Sequence, residues 1–346
     1  MNVDASVALI IPVFRPNQNL LNLVQKVQKT FSGPIIIVDD GNEDQTIFKA
    51  LKDVVLLHHK ENQGKGAALK TAFRYVLKKL DSVYGVVTAD ADGQHPSEDI
   101  IKMIHLLDQE SDSFYIGTRT FGQKTPLRNR LGNLITRRVF AWVTKQNIMD
   151  TQNGLRGIPK WLLTKLIKLS QNRYDYEMAM LKLIADQGVR IIQVPVKTIY
   201  EQEGAVSSFK PWRDSVRIYQ ILLKSLVRFL MVGLASFVID YALYLFFYRW
   251  FIGSWRIVLS VVSARVLSGT FNYAMNRFYS FESDVRFVKS SLQYLILFLL
   301  IMSISAFFTD ALTSWGLVSY QLSKITVDSI LFIVSYQIQK KYIFKK

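Results

Sequence analysis

The sequence predicts two parts of different class, an α/β domain with a mainly parallel sheet and then an all-α domain of four membrane-crossing helices. Three observations carry that reading. In the first 200 residues, short β-branched runs alternate with stretches of helical spacing, the pattern of a parallel sheet covered by helices. Punctuating or acidic residues close three of those runs, at Pro12, Asp39-Asp40 and Asp90-Ala91-Asp92, where ligands of such sheets bind. After residue 225 the chain becomes long apolar runs, each close to the ~20 residues that a bilayer core requires.

Composition agrees. The 346 residues are enough for two domains, and 50% hydrophobic with 13% aromatic is high for a soluble protein. The net charge of +16 suits nucleic acid, an anionic membrane surface or phosphorylated substrates. The apolar half selects the membrane and argues against nucleic acid. The absence of cysteine excludes disulfides and thiolate chemistry. The apolar run near the amino terminus is too short for a signal peptide and lacks a basic region ahead of it. The first domain is therefore expected in the cytoplasm.

In chain order, Val7 to Val13 is a buried strand ended by proline chemistry, and Leu20, Leu23, Val24 and Val27 share one face of a helix. Ile35 to Val38 is a second strand running into Asp39-Asp40-Gly41, and Val54 to Leu57 a third. Gly64-Lys65-Gly66 opens a helix from Ala67 to Leu80. It reads either as a phosphate loop or as a tight turn that packs the helix on the sheet. A strand from Tyr84 leads into Asp90-Ala91-Asp92-Gly93-Gln94-His95. Two carboxylates two residues apart in extended backbone point the same way and repel unless a cation lies between them. A hard divalent ion with oxygen ligands, Mg²⁺ or Mn²⁺, fits there, and the alternative is a solvated acidic turn.

Ile11-Pro12-Val13-Phe14, Val38-Asp39-Asp40-Gly41, Asn62 to Ala68 and Asp90 to His95, in this order over about 210 residues, resemble the inverting family 2 glycosyltransferases of GT-A fold. More narrowly the motifs look like the polyprenyl-phosphate sugar synthases, of the dolichol-phosphate mannose synthase and bactoprenol glucosyltransferase type. The resemblance implies a Rossmann-like GT-A domain and a nucleotide sugar held by Pro12, Phe14, Asp39, Asp40, Lys65, Asp90, Ala91, Asp92 and Gln94. It implies that Asp90, Asp92 and Gln94 hold the metal. Arg15-Pro16 departs from the family's usual Asn-Glu, which leaves the base preference open, and Asp39-Asp40-Gly41 alone also fits a plain type I turn. His95 reads as structural, because the leaving group needs its charge neutralised rather than a proton.

On the acceptor side, Phe114 to Arg119 is a strand resembling the family's Gly-Ser-Arg, with Thr118 in place of serine. Pro126 to Trp142 interleaves cations with large apolar residues, which suits a membrane interface or a solvated helix face. The resemblance gives Arg119, Arg130, Ser207 and Lys210 to the acceptor phosphate, with Asp92, Arg119 and Arg130 as the catalytic set. Asp150 to Gly157 resembles an element beside the acceptor, and Tyr174 to Glu177 the family's aromatic-Asp-x-Glu. A phosphate monoester has its second pKa near ~6 and arrives already anionic. Glu177 is therefore expected to orient basic residues rather than act as a base. Ile191 to Val196 is a last strand.

The expected domains are 1–210 for catalysis, 211–228 as an amphipathic interfacial helix, and 229–346 for the membrane. Spans are expected near 229–248, 257–275, 291–309 and 322–339. Basic residues at Arg277, Arg286, Lys289 and Lys340 to Lys346 place those connections in the cytoplasm, with Arg249 and Arg256 as exceptions. Arg228 to Gly233, Asp240 and Asn276 to Phe281 resemble the GtrA-like four-helix membrane domain. Asp240, Arg265 and Asp328 are expensive in hydrocarbon and read either as functional or as packing ion pairs.

The resulting expectation is a multi-pass cell-membrane enzyme that transfers a hexose from UDP-glucose or GDP-mannose to a polyprenyl phosphate, with a homo-oligomer left open. Two alternatives are a lipid-linked-sugar flippase or anchor with a degenerate transferase domain, and a processive polysaccharide synthase. The second requires a Gln-x-x-Arg-Trp motif that the sequence lacks.

Overall fold

The computed structural model describes residues 6–119, 127–197, 211–314 and 319–345. The chain divides into two compact units, Met1–Leu222 and Leu223–Lys346.

Among the described residues seven strands form one sheet in the first unit: β1 Val7–Val13, β2 Ile35–Asp40, β3 Val55–His59, β4 Gly85–Thr88, β5 Phe114–Arg119, β6 Arg156–Pro159 and β7 Ile191–Val196. Their order is β3-β2-β1-β4-β6-β5-β7, and only the pairings of β6 are antiparallel. Every residue of β2 and β4 is buried, and of β1 all but Pro12, as expected for parallel strands covered on both faces. Connections proceed outward in one direction through β2 and β3 and in the other from β4. The switch point therefore falls between β1 and β4, and the ligand crevice lies outside their carboxyl ends.

The helices of this unit are α1 Gln18–Gln28, α2 Thr46–Ala50, α3 Lys65–Lys79, α4 Ser97–Gln109, α5 Leu127–Thr144, α6 Lys160–Leu166 and α7 Asp175–Asp186. α1 starts where the side chain of Asn17 accepts the Asn19 N–H at 3.0 Å, and it buries the predicted face of Leu20, Leu23, Val24 and Val27. Each such side chain contributes about 1.5–3 kcal/mol when fully removed from water. β6 is a strand that the sequence does not predict, since Asp150 to Gly157 reads there only as an element beside the acceptor. Its four residues are all buried between β4 and β5, so pairing to distant strands overrides the local turn chemistry of Gly157 and Pro159.

The helix α8, Pro211–Trp250, is continuous through the segments expected as an interfacial helix and a first span. It is followed by α9 Arg256–Met275, α10 Phe287–Ser314 and α11 Tyr320–Ile338, so four helices stand where four were expected. Among the described residues, three segments are long and apolar enough to cross a membrane, Ser215–Trp250, Arg256–Ser280 and Phe287–Ser314. α11, which carries Lys324 and Asp328, is not among them. Four of the charges within these helices are paired, Asp240 with Arg265 and Asp328 with Lys324. Asp240 accepts from Ser268 Oγ at 2.7 Å and lies 3.6 Å from Arg265 Nε. Asp328 accepts from Ser305 Oγ at 2.6 Å and pairs with Lys324 at 3.1 Å. Asn272 donates to Ser236 at 2.8 Å and accepts from Asn276 at 2.8 Å and Tyr294 at 2.7 Å, so these four side chains satisfy one another inside the helical unit.

Candidate active site

The carboxyl ends of β1, β2 and β4 gather the acidic motifs. In the register of β2 against β3, Asp39 faces His58 and Asp40 faces His59. The Asp39 carboxylate accepts from the Asn42 N–H at 3.0 Å, Asn42 Nδ2 at 2.5 Å, Gln45 Nε2 at 2.8 Å and His58 Nδ1 at 2.6 Å. Burial works against its ionisation, yet the hydrogen bonds from Gln45, Asn42 and His58 hold its pKa below the ordinary carboxylate range. Asp40 accepts from His59 Nδ1 at 2.8 Å, Asn62 Nδ2 at 2.9 Å, and the N–H groups of Gln63 and Gly64 at 3.0 and 2.8 Å. Each carboxylate thus has about four acceptor sites and fills them within the chain. Asp39 shapes the turn after β2, and Asp40 ties down the loop that leads into α3.

That loop delivers Lys65. Gly64 precedes it at φ +102°, and a Cβ there would lie 2.5 Å from the Asn172 carbonyl oxygen, so only glycine fits. The Lys65 ammonium sits between Asp90 at 2.5 Å and Glu177 at 3.0 Å. Burial pulls its pKa down, but the charges of Asp90 and Glu177 prevail and raise it. Asp90 is the mirror case. Burial pushes its pKa up, and Lys65 and then His95 hold it well below the usual range. His95 Nε2 stands 3.4 Å from Asp90 with no hydrogen-bond partner among the described residues. Gly154 backs the carboxylate, since a Cβ there would come within 2.5 Å of Asp90 Oδ2.

Among the described residues Asp92 makes no ion pair. Its Oδ1 accepts the Gln94 N–H at 3.0 Å, and burial followed by the charge of Asp90 pushes its pKa up. Ala91, Asp92 and Gln94 are half-buried around this turn. Among the described residues no three His, Asp or Glu side chains converge as a ready metal cage. An ionised Asp90 beside an Asp92 whose ionisation burial and that neighbour oppose nevertheless fits a hard cation whose remaining ligands come from a phosphate-bearing substrate.

Above β1, Phe14 is 38% exposed. Arg15 is left-handed at φ 58°, stacks over that ring at 5.3 Å, and gives its N–H to Asn42 Oδ1 at 2.6 Å. Asn42 also donates to the Val13 carbonyl, coupling the ends of β1 and β2. Pro12 is half-buried in the strand beneath.

On the other flank Arg119 is gripped by the fully buried Asp150, with Nε at 2.6 Å and Nη2 at 3.1 Å. The side chain of Arg130 in α5, and residues Ser207 and Lys210, lie outside the described residues. Sequence reasoning gave Arg156 no role, although it is only 1% exposed. It donates to the carbonyls of Asn153 at 3.0 Å, Glu177 at 2.7 Å and Thr151 at 3.4 Å, fastening the 150–154 loop to the start of α7. Burial lowers its pKa, opposed by Glu177, Asp90 and Asp150. The one signal in the sequence was a cation inside an otherwise apolar run, Leu155 to Ile158.

Residues 8–165 match the model of glycosyl transferase family 2, and residues 228–344 that of the GtrA/DPMS transmembrane domain. The chain is 30% identical over 223 residues to UDP-N-acetylglucosamine–dolichyl-phosphate N-acetylglucosaminyltransferase of Methanococcus voltae, covering 58% of this chain and 88% of that protein. It is 27% identical to the polyprenol monophosphomannose synthase of Mycolicibacterium smegmatis, over 58% of this chain and 79% of that one. Over 81% of this chain and 82% of the other it is 24% identical to the dolichol-phosphate mannosyltransferase of Pyrococcus furiosus.

Proposed function

The chain belongs to glycosyl transferase family 2 and carries a GtrA/DPMS transmembrane domain, and from that premise we propose that it transfers one sugar from a nucleotide diphosphate sugar to a polyprenyl phosphate at the cytoplasmic face of a membrane. The observation that carries this reading is the acidic turn itself. Asp90 and Asp92 lie at the switch point of the sheet, one neutralised by Lys65 and the other unneutralised, on a chain with apolar helices. The catalytic domain runs over 1–210, joined by the 211–228 segment to the multi-pass domain at 229–346. Donors to consider are UDP-glucose and GDP-mannose, with UDP-N-acetylglucosamine added by the name of the Methanococcus relative.

In this reading Phe14 offers its exposed face to the nucleobase and Pro12 and Ala91 line the nucleoside. Asp39 and Asp40 act by fixing the turns around it, because their own acceptor sites are full. Asp90, Asp92 and Gln94 would hold Mg²⁺ or Mn²⁺, which supplies charge neutralisation to the departing diphosphate. Lys65 adds a fixed cation on the same side. Arg119, oriented by Asp150, positions the acceptor phosphate together with Arg130, Ser207 and Lys210. An acceptor phosphate oxygen then forms a bond to the anomeric carbon from the face opposite the leaving group. The bond from that carbon to the β-phosphate oxygen breaks, its electron pair leaves with the nucleoside diphosphate, and configuration inverts. No proton needs to be removed, since the attacking oxygen is already anionic at neutral pH.

Membranes carrying the chain, given each labelled donor with Mn²⁺, should form a chloroform-soluble, acid-labile labelled lipid. A lack of product with every donor would sink the transfer reading, and undiminished product from Asp92→Ala would sink the metal assignment.

A further inference from the structure

The helical unit contains a repeated element that the transfer reaction does not use. α9 and α11 end alike, in Tyr273, Asn276-Arg277, Tyr279 and Phe281 and in Tyr336, Gln339-Lys340, Tyr342 and Phe344, at one constant interval. Each helix widens into a five-residue π-turn, Asn276–Ser280 and Gln339–Ile343. Each turn closes on the last phenylalanine, whose N–H donates to the carbonyl of the amide residue, at 3.0 and 2.8 Å. The two rings stack at 5.5 Å and 19°, and Phe344 also meets Tyr273 at 5.8 Å. The turns are therefore side by side, each carrying a cation directly after a buried amide. Widened turns of this type are rare and gather at functional positions.

Arg277 is 8% exposed. Its Nη1 donates to Ser290 Oγ at 2.6 Å and its Nη2 to the Val285 carbonyl at 2.5 Å, while Nε is buried with no partner among the described residues. Ser290 is in turn engaged by Tyr273 at 2.7 Å. Among the described residues no carboxylate lies within ion-pair distance of Arg277, and nearby Glu282 is held by Arg228 at 2.6 Å. A full charge met only by neutral oxygens and by the rings of Phe278 and Phe287 at 5.6 and 5.8 Å still gains from an anion supplied from outside the chain. If these helices cross a bilayer, their basic ends, with exposed Arg286 and Lys289 adjoining, lie where phospholipid headgroups are.

We propose that Arg277 is the binding site for the phosphodiester of an anionic membrane phospholipid. Among the described residues three of the five guanidinium N–H groups, Nε–H included, are uncommitted, and one fixed cation matches one singly charged phosphodiester, whereas a phosphate monoester brings about two charges at neutral pH. The proposal rests on the membrane reading of the helical unit and not on the transfer reaction.

The full chain in nanodiscs of phosphatidylcholine, with or without phosphatidylglycerol, tests it by native mass spectrometry of retained lipid and by thermal melting. Wild type should retain phosphatidylglycerol over phosphatidylcholine and melt higher with it. Arg277→Gln should retain about tenfold less, and Lys289→Gln, which alters an exposed cation, about as much as wild type. Equal retention by Arg277→Gln and wild type overturns the site. Equal losses in both variants overturn it in favour of diffuse attraction, and displacement of the lipid by millimolar inorganic phosphate overturns the lipid as its source. Should Arg277→Gln fail to accumulate, wild type decides, because equal melting with and without phosphatidylglycerol also overturns the proposal.

Discussion

Arg156 in the sheet unit and Arg277 in the helical unit are 1% and 8% exposed, and both direct their hydrogen bonds at neutral oxygens. Their wider surroundings differ. Arg156 feels the fields of Glu177, Asp90 and Asp150, all supplied by the chain. Arg277 has no acid of its own within ion-pair reach among the described residues. A unit built around a sheet core must carry its own counter-charges, because water screens but does not enter that core. A unit in lipid can leave one position to be balanced by the bilayer.

The largest test of this contrast is Lys65→Met, which leaves Asp90 and Glu177 facing each other without a cation. It should destabilise the sheet unit by about 3–5 kcal/mol in denaturant titrations and abolish transfer. Millimolar Mn²⁺ should restore more stability to this variant than to wild type, and an equal effect on both would break the comparison. Arg156→Met comes next, at about 3 kcal/mol, and unlike Arg277→Gln its effect should not change with the lipid supplied. Gly154→Ala pushes a methyl at the Asp90 carboxylate and should cost about 1–3 kcal/mol, with a raised Mn²⁺ requirement for transfer.

The smallest effect, about 1 kcal/mol, is expected of Asp39→Asn, a buried charge balanced by hydrogen bonds rather than by a cation. The folded-state pKa of Asp39 is depressed, so its stabilisation is complete above the unfolded value near ~4 and is lost as pH falls through the folded one. The gap between variant and wild type should therefore close in acid, and a gap that widens there would refute the assignment.

The parallel strands were legible because β-branched runs such as Ile35–Val38 admit no other buried reading, and the acidic turn was legible because it ends one of them. The pairings that engage Asp39 and Asp40 were not. They depend on the register of β2 against β3, which sets two adjacent acids against His58 and His59 from nineteen residues away. β6 was missed for a related reason, since Gly157 and Pro159 argue locally for a turn while burial between β4 and β5 makes a strand. Lys65 was read as a donor contact, but its position between Asp90 and Glu177 requires α3 and α7 to be brought together, which no local spacing encodes.

The stacked pair Phe281 and Phe344 also bears on ancestry. Two helical hairpins that finish in the same aromatic turn are what a tandem duplication leaves behind, with the ring stack as the seam between the copies. The gene should then tolerate being cut in the stretch between α9 and α10. Its two products, made together, should find each other through that seam and restore a membrane unit that neither makes alone.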